Sequence, residues 1–143
     1  TWNHSSPEWR LSPPPAGVPN LVSTFGYINA SWTLRADLTS EWVGRLLQHM
    51  DAVGADRVVP QLRAEDSGMQ SLPWIADFPA GYMQRVMYLF PKQGAGPWRN
   101  TQDFALDKRT IRKGPVADSA LVFSSSVNDQ LDLEDSKQNV SAG

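Results

Sequence analysis

The side chains and main-chain groups best placed to do chemistry lie between Gly26 and Trp32, in the string Gly26-Tyr27-Ile28-Asn29-Ala30-Ser31-Trp32. A short apolar run, Leu21 to Phe25, precedes it, and a long amphipathic pattern follows it. The string therefore reads as the turn between a strand and a helix. A helix N-terminus presents unpaired amides and about half a positive charge. A ligand carbonyl or an electron-rich ring atom is stabilised there. Glycine and small residues let a flat ring approach the backbone, and Tyr27 and Trp32 flank the turn with aromatic surface. In α/β proteins ligands bind outside the carboxyl ends of strands, at such junctions. The pyrimidine end of a flavin, which becomes electron-rich on reduction, suits this chemistry.

Other chemistry finds little support. There is no cysteine, which excludes disulfides, thiolate metal sites and a cysteine nucleophile. His4 falls in a proline-rich arm, and His49 in the last turn of the long helix, where a partly protonated imidazole suits the helix dipole. Gly94-Ala95-Gly96 begins like a dinucleotide fingerprint, but the sixth position is Arg99 and the segment follows a helix, so it reads as a loop. No phosphate-binding P-loop, paired-histidine metal helix or Gly-x-Ser-x-Gly elbow is present. No catalytic residue and no metal ligand is nominated. Three Asn-x-Ser triplets, at Asn3, Asn29 and Asn139, match the glycosylation pattern, but such triplets are common by chance.

The elements that must position the turn follow from periodicity. Leu21 to Phe25 is predicted as a buried strand. Its possible partners are few: Val58-Val59, interrupted by Pro60, and Ala120 to Phe123. A strand so apolar with so few partners implies that its sheet lies in a missing N-terminal part. The helix after it carries Leu38, Trp42, Leu46 and Met50 at every fourth position, widened by Leu34, Val43, Leu47 and Val53. Asn29 or Ser31 is its N-cap and Gly54 its C-cap. Arg35, Glu41 and Arg45 lie off the stripe, with Glu41 and Arg45 spaced to pair. Trp42 belongs to the core, and Trp32 is divided between core packing and ligand contact. Arg63 to Ser71 reads as loop, Pro79 to Leu89 as a second helix, Lys92 to Arg99 as a turn-rich connector, and Thr101 to Lys113 as a third helix.

Composition bounds the class. A chain of 143 residues, 41% hydrophobic, can bury a core of its own. A net charge of -2 gives no basic face for nucleic acid. No apolar run reaches the roughly 20 residues of a membrane helix. The chain opens on TWNHSSPEWR, with neither an initiator methionine nor the layout of a signal peptide, so the expectation is a fragment or a processed product. Lack of cysteine makes a reducing, cytoplasmic location the default expectation. Residues 1–17, with Pro13-Pro14-Pro15, read as an extended arm, and residues 124–143 as a disordered tail.

The strings themselves narrow this further. Val18-Pro19-Asn20-Leu21, Gly26 through Leu34, and Ala36-Asp37-Leu38 resemble the C-terminal part of FAD-containing, NADPH-dependent monooxygenases of the Baeyer–Villiger and ethionamide-activating type. Gly81-Tyr82 with Arg85, Pro91-Lys92-Gln93-Gly94, Pro97-Trp98-Arg99 and Asp103-Phe104 look like the same family's tail. The resemblance covers about Val18 to Phe123. It implies a predominantly helical α/β piece, with one or two short strands, of a flavoprotein with two dinucleotide-binding domains. In such enzymes NADPH reduces FAD, and the reduced flavin uses oxygen to oxygenate ketones or sulfur-containing substrates. The resemblance implies flavin-facing roles, mainly through backbone, for Gly26, Tyr27, Asn29, Ala30, Ser31 and Trp32. The family's Gly-rich FAD and NADPH motifs, its fingerprint histidine motif and its active-site arginine have no counterpart here. The N-terminal remainder of the flavoprotein is therefore the expected partner. The competing reading is a stand-alone helical module that binds another protein through the stripe of the long helix.

Overall fold

The computed structural model describes residues 18–75, 80–90 and 92–127. The predicted arm at 1–17 and the tail beyond residue 127 lie outside the described residues, as do Pro79 and Pro91, the expected ends of the second helix. Three helices and one two-stranded sheet make a small α/β unit. In chain order they are α1 (Trp32–Val53), β1 (Arg57–Pro60), α2 (Gly81–Val86), α3 (Phe104–Lys113) and β2 (Leu121–Ser124). Single 3-10 turns stand at Ala64–Asp66, Met87–Leu89 and Gly96–Trp98.

Helix α1 organises the fold. Its predicted stripe is the core: Leu38, Trp42, Leu46 and Met50 pack with Val58, Trp98, Ile111, Ala120 and Leu121. Each such side chain contributes about 1.5–3 kcal/mol of burial. Gly54 ends the helix in the left-handed conformation, at φ 67°. The stripe is narrower than predicted, because Leu47 and Val53 are exposed. The interior instead extends to Arg35, which the sequence placed off the stripe and which is 2% exposed. Glu41 and Arg45 do not pair with each other. Glu41 takes a two-pronged bond from Arg112 (2.8 and 2.6 Å). Arg45 donates to the carbonyl oxygens of Ile111 and Gly114. Both side chains thus staple α1 to α3, since a long cation gains more from the orphan carbonyls of a helix end than from an exposed carboxylate.

The two predicted partner segments pair with each other. Strands β1 and β2 run antiparallel, with Val58 opposite Phe123 and Pro60 opposite Leu121. Pro60 is tolerated because it sits at the strand's last position. Leu21 to Phe25, predicted as a buried strand, is a correction: it joins no sheet among the described residues and none of its residues is fully buried. The reason lies at Asn20. Its left-handed backbone, φ 56°, turns the chain, and its amide and side chain occupy both main-chain groups of Val58 (3.0 and 2.9 Å). The chain then leaves β1 and runs along α1, where the hydroxyls of Thr24 and Thr39 meet at 3.1 Å.

Helix α3 starts three residues later than predicted, at Phe104, because Asp103 accepts from the Leu106 amide and caps it (3.0 Å). The second helix is shorter than predicted and buries only Met83, leaving Tyr82 and Leu89 exposed. Behind it, Asp66 accepts bonds from Arg63 and from the indole N–H of the fully buried Trp98 (2.9 Å). The Arg63 guanidinium holds the Asp66 carboxyl well below the usual carboxylate range.

Candidate flavin-facing turn

The structure places the turn as the sequence did, directly before α1. It divides the predicted site residues into two groups. Gly26 and Tyr27 are buried, while Asn29, Ala30, Ser31 and Trp32 are exposed. Ser31 stands at the N-cap position but does not cap with its side chain, and its hydroxyl meets that of Thr33 at 2.8 Å. No acidic residue stands in the first turn. The leading amides of α1 are thus left without a side-chain cap on an exposed polar turn.

Gly26 is glycine for a steric reason. A Cβ there would lie 2.2 Å from Cγ of Trp32. The indole of Trp32 lies back over Gly26 and against Phe25, ring centroids 4.8 Å apart. Phe25 in turn meets Trp74 edge-on at 4.2 Å, and Trp74 stacks on Phe90 at 5.1 Å. Trp32 is thus neither a core residue nor free of its own chain. It packs on its own chain and keeps 54% of its surface exposed beside the turn.

Tyr27 does not flank the turn. Its side chain points inward, and the phenol donates to Oδ2 of Asp107 at 2.7 Å. Arg35 donates to the same oxygen at 2.5 Å, and its guanidinium lies over the Tyr27 ring, 4.5 Å from the centroid. Thr101 donates to the other carboxylate oxygen. The bonds close into a ring. Arg35 donates to Oδ1 of Asn100 (3.3 Å), Gln102 donates to that same oxygen (3.1 Å), and Gln102 Oε1 accepts from the amide of Ile28 (3.0 Å). Tyr27 and Ile28, adjacent in the turn, are thus held from two sides by one network.

Sequence reasoning missed Arg35, Asn100, Gln102 and Asp107. A signal for two of them was present. Arg35 stands one turn before Leu38 on the apolar stripe, and Asp107 stands one turn before Ile111 on the apolar face of α3. Opposite charges at stripe positions of two helices are the pattern of a buried ion pair. Asn100 and Gln102 lie in irregular chain and carry no periodicity. His49 packs edge-on against Phe123. Among the described residues no three metal-ligating side chains cluster, and no helix is long and apolar enough to cross a membrane.

Burial, and then the bond to the Asp107 carboxylate, push the Tyr27 phenol up to about 12. In the unfolded chain it titrates near 10. A raised folded value means that the neutral phenol stabilises the fold fully below pH 10, and that this stability drains away between about pH 10 and 12. Urea midpoints are expected to fall across that interval, and to fall less in Tyr27→Phe. Parallel alkaline profiles for the two proteins would refute the assignment.

The described residues thus form a small α/β piece whose longest helix opens from an exposed turn without a side-chain cap. Comparison with known proteins fixes the family. Over 110 residues, 76% of this chain, it is 46% identical to the FAD-containing monooxygenase EthA of Mycolicibacterium smegmatis. It is 44% identical over 110 residues to the protein of that name from Mycobacterium tuberculosis. A third relative, from Acinetobacter baylyi, is named "probable FAD-binding monooxygenase AlmA" and is 37% identical over 111 residues, 74% of this chain. The chain corresponds to a C-terminal portion of an FAD-containing monooxygenase of the EthA type. It spans about a fifth of the length of these relatives, 22% for the first. No family model matches it. No solved structure matches it.

Proposed function

We propose that this chain is the closing segment of an NADPH-dependent flavin monooxygenase, residues 18–123 forming the C-terminal part of its FAD-binding domain. The observation that carries this reading is the Gly26–Trp32 turn, clamped from beneath at Tyr27 and Ile28 and left open above at the uncapped start of α1. The residues present fit a flavin. Asn29, Ala30 and Ser31 offer backbone at close approach, the first amides of α1 offer positive potential to an electron-rich ring edge, Trp32 offers apolar surface beside it, and Gly26 gives the Trp32 indole its place. Bound FAD, reduced by NADPH, supplies the electrons and the oxygen activation by which ketones or sulfur compounds are oxygenated. Tyr27 holds the turn from below and contributes backbone only.

The competing reading, a helical module binding a partner through the stripe of α1, keeps only Leu47 and Val53 of that stripe exposed. Leu38, Trp42, Leu46 and Met50 are covered by this chain's own β1, β2 and α3.

The remaining walls of the flavin site belong to the larger protein. The isolated chain is therefore expected to purify without flavin absorbance and to oxidise no NADPH when FAD is added. A single polypeptide in which this chain replaces the matched segment of the M. smegmatis relative is expected to bind FAD. Stoichiometric flavin in the isolated chain, or none in the folded chimera, overturns the proposal.

A further inference from the structure

Helix α2 and the 3-10 turn that continues it, Met87–Leu89, are apolar on both sides. Met83 is buried, and Val86, Met87 and Phe90 are half-buried beside it. The outer side carries Tyr82, Tyr88 and Leu89, which keep 62, 68 and 66% of their surface exposed. A helix that is apolar all round belongs inside a larger body. Its length makes the same point. A six-residue helix is too short to persist on its own hydrogen bonds. With Met83 as its one buried side chain, it has little packing within this chain to hold it. Arg85 is exposed as well, three residues after Tyr82 and four before Leu89. Tyrosine and arginine are the residue types that most often carry the binding energy of an interface. The patch is also continuous with the Gly26–Trp32 turn. Phe90, which closes the 3-10 turn, stacks on Trp74 at 5.1 Å and meets Phe25 edge-on at 6.5 Å, and Phe25 supports the Trp32 indole at 4.8 Å.

We infer that the outer side of α2 and its 3-10 turn is the surface on which the N-terminal remainder of the flavoprotein docks. That remainder presents apolar surface to Tyr82, Tyr88 and Leu89 and a carboxylate to Arg85. Two observations name this occupant. The matched segment is 22% of the M. smegmatis relative, which leaves most of that protein outside the match. The row of rings from Phe90 through Phe25 to Trp32 joins the patch to the turn whose other walls the remainder is proposed to supply. The inference rests on the proposed function for its partner, and its test separates the two.

The test uses the three tyrosines of this chain, Tyr27, Tyr82 and Tyr88, nitrated in the isolated chain and in the chimera described above and read by peptide mass spectrometry. In the isolated chain Tyr82 and Tyr88 are expected to react, while Tyr27, buried and bonded to Asp107, resists. In the chimera Tyr82 and Tyr88 are expected to react at least about tenfold more slowly, since a phenol under an interface is reached only when that interface opens locally. Tyr88→Ser together with Leu89→Asp is expected to leave the melting temperature of the isolated chain unchanged, because both positions are exposed there, and to lower that of the chimera. Equal nitration in both proteins, or substitutions that shift both melts alike, overturns the docking surface. The complementary portion of the relative, added to the isolated chain in trans, gives a second arm with the same two outcomes that does not depend on the fusion folding. A stable dimer of the isolated chain that the same substitutions dissociate assigns the patch to a second copy and also overturns it. Protection of Tyr82 and Tyr88 without bound FAD keeps the docking surface and removes the flavin-facing turn. Bound FAD without that protection does the reverse.

Discussion

Asp107→Ala is expected to destabilise the isolated chain by about 3–5 kcal/mol, the usual cost of breaking a buried ion pair from one side. Asp107 is 4% exposed, and the Arg35 guanidinium it neutralises is 2% exposed. The substitution removes the carboxylate that Arg35 meets on α3 and strips the Tyr27 phenol and the Thr101 hydroxyl of their acceptor. A fold of this size is stable by only about 5–15 kcal/mol, so the loss is a large fraction of the whole. Urea unfolding followed by the fluorescence of the buried Trp42, Trp74 and Trp98 would measure it. The pair is isolated by a double-mutant cycle. Arg35→Ala with Asp107→Ala is expected to cost much less than the sum of the single changes, because each single change already breaks the same ion pair. Additive losses would show that the two side chains do not act together.

Gly26→Ala has the second-largest expected effect, and its cause is purely steric. The new methyl would stand 2.2 Å from Cγ of Trp32, well inside contact distance. Either the indole leaves its place against Phe25 or the turn opens. Overpacking of this kind costs about 1–3 kcal/mol. Trp32→Ala in the same chain is expected to restore most of that loss, since Trp32 is half exposed and its removal clears the clash. In the chimera, Gly26→Ala is expected to weaken FAD binding, because the displaced residues are those proposed to face the flavin. A Gly26→Ala chain that melts with the parent would show that the Trp32 ring moves aside freely, and would remove the steric case for glycine.

The long helix, its buried face and its glycine end were legible because a 22-residue amphipathic pattern repeats its signal many times. The pairing of Val58 with Phe123 was half legible: both segments were recognised as strands, but each was considered as a neighbour for Leu21–Phe25. What redirected them was a single residue, Asn20, whose side chain takes the ladder position of Val58. No periodicity encodes that. The turn itself was legible as a string, and Gly26 as a point of close approach, although the approaching ring belongs to Trp32 of the same chain. Tyr27 was misread because residue type says nothing about direction. Its orientation is set by a carboxylate 80 positions away, and nothing in the sequence links the two positions.

That separation has a consequence for how the turn comes into being. Translation proceeds from the N-terminus, and helix α1 can coil as soon as Trp32–Val53 has been made, because its hydrogen bonds are local. The ring that shapes Tyr27 and Ile28 cannot close until Gln102 and Asp107 exist, after the sheet's first strand and the whole middle of the chain. Closure over so long a span is slow relative to helix formation. The turn written early in the chain is therefore finished among the last, and any polypeptide ending before Asp107 carries the Gly26–Trp32 string without the bonds that hold Tyr27 and Ile28 in place.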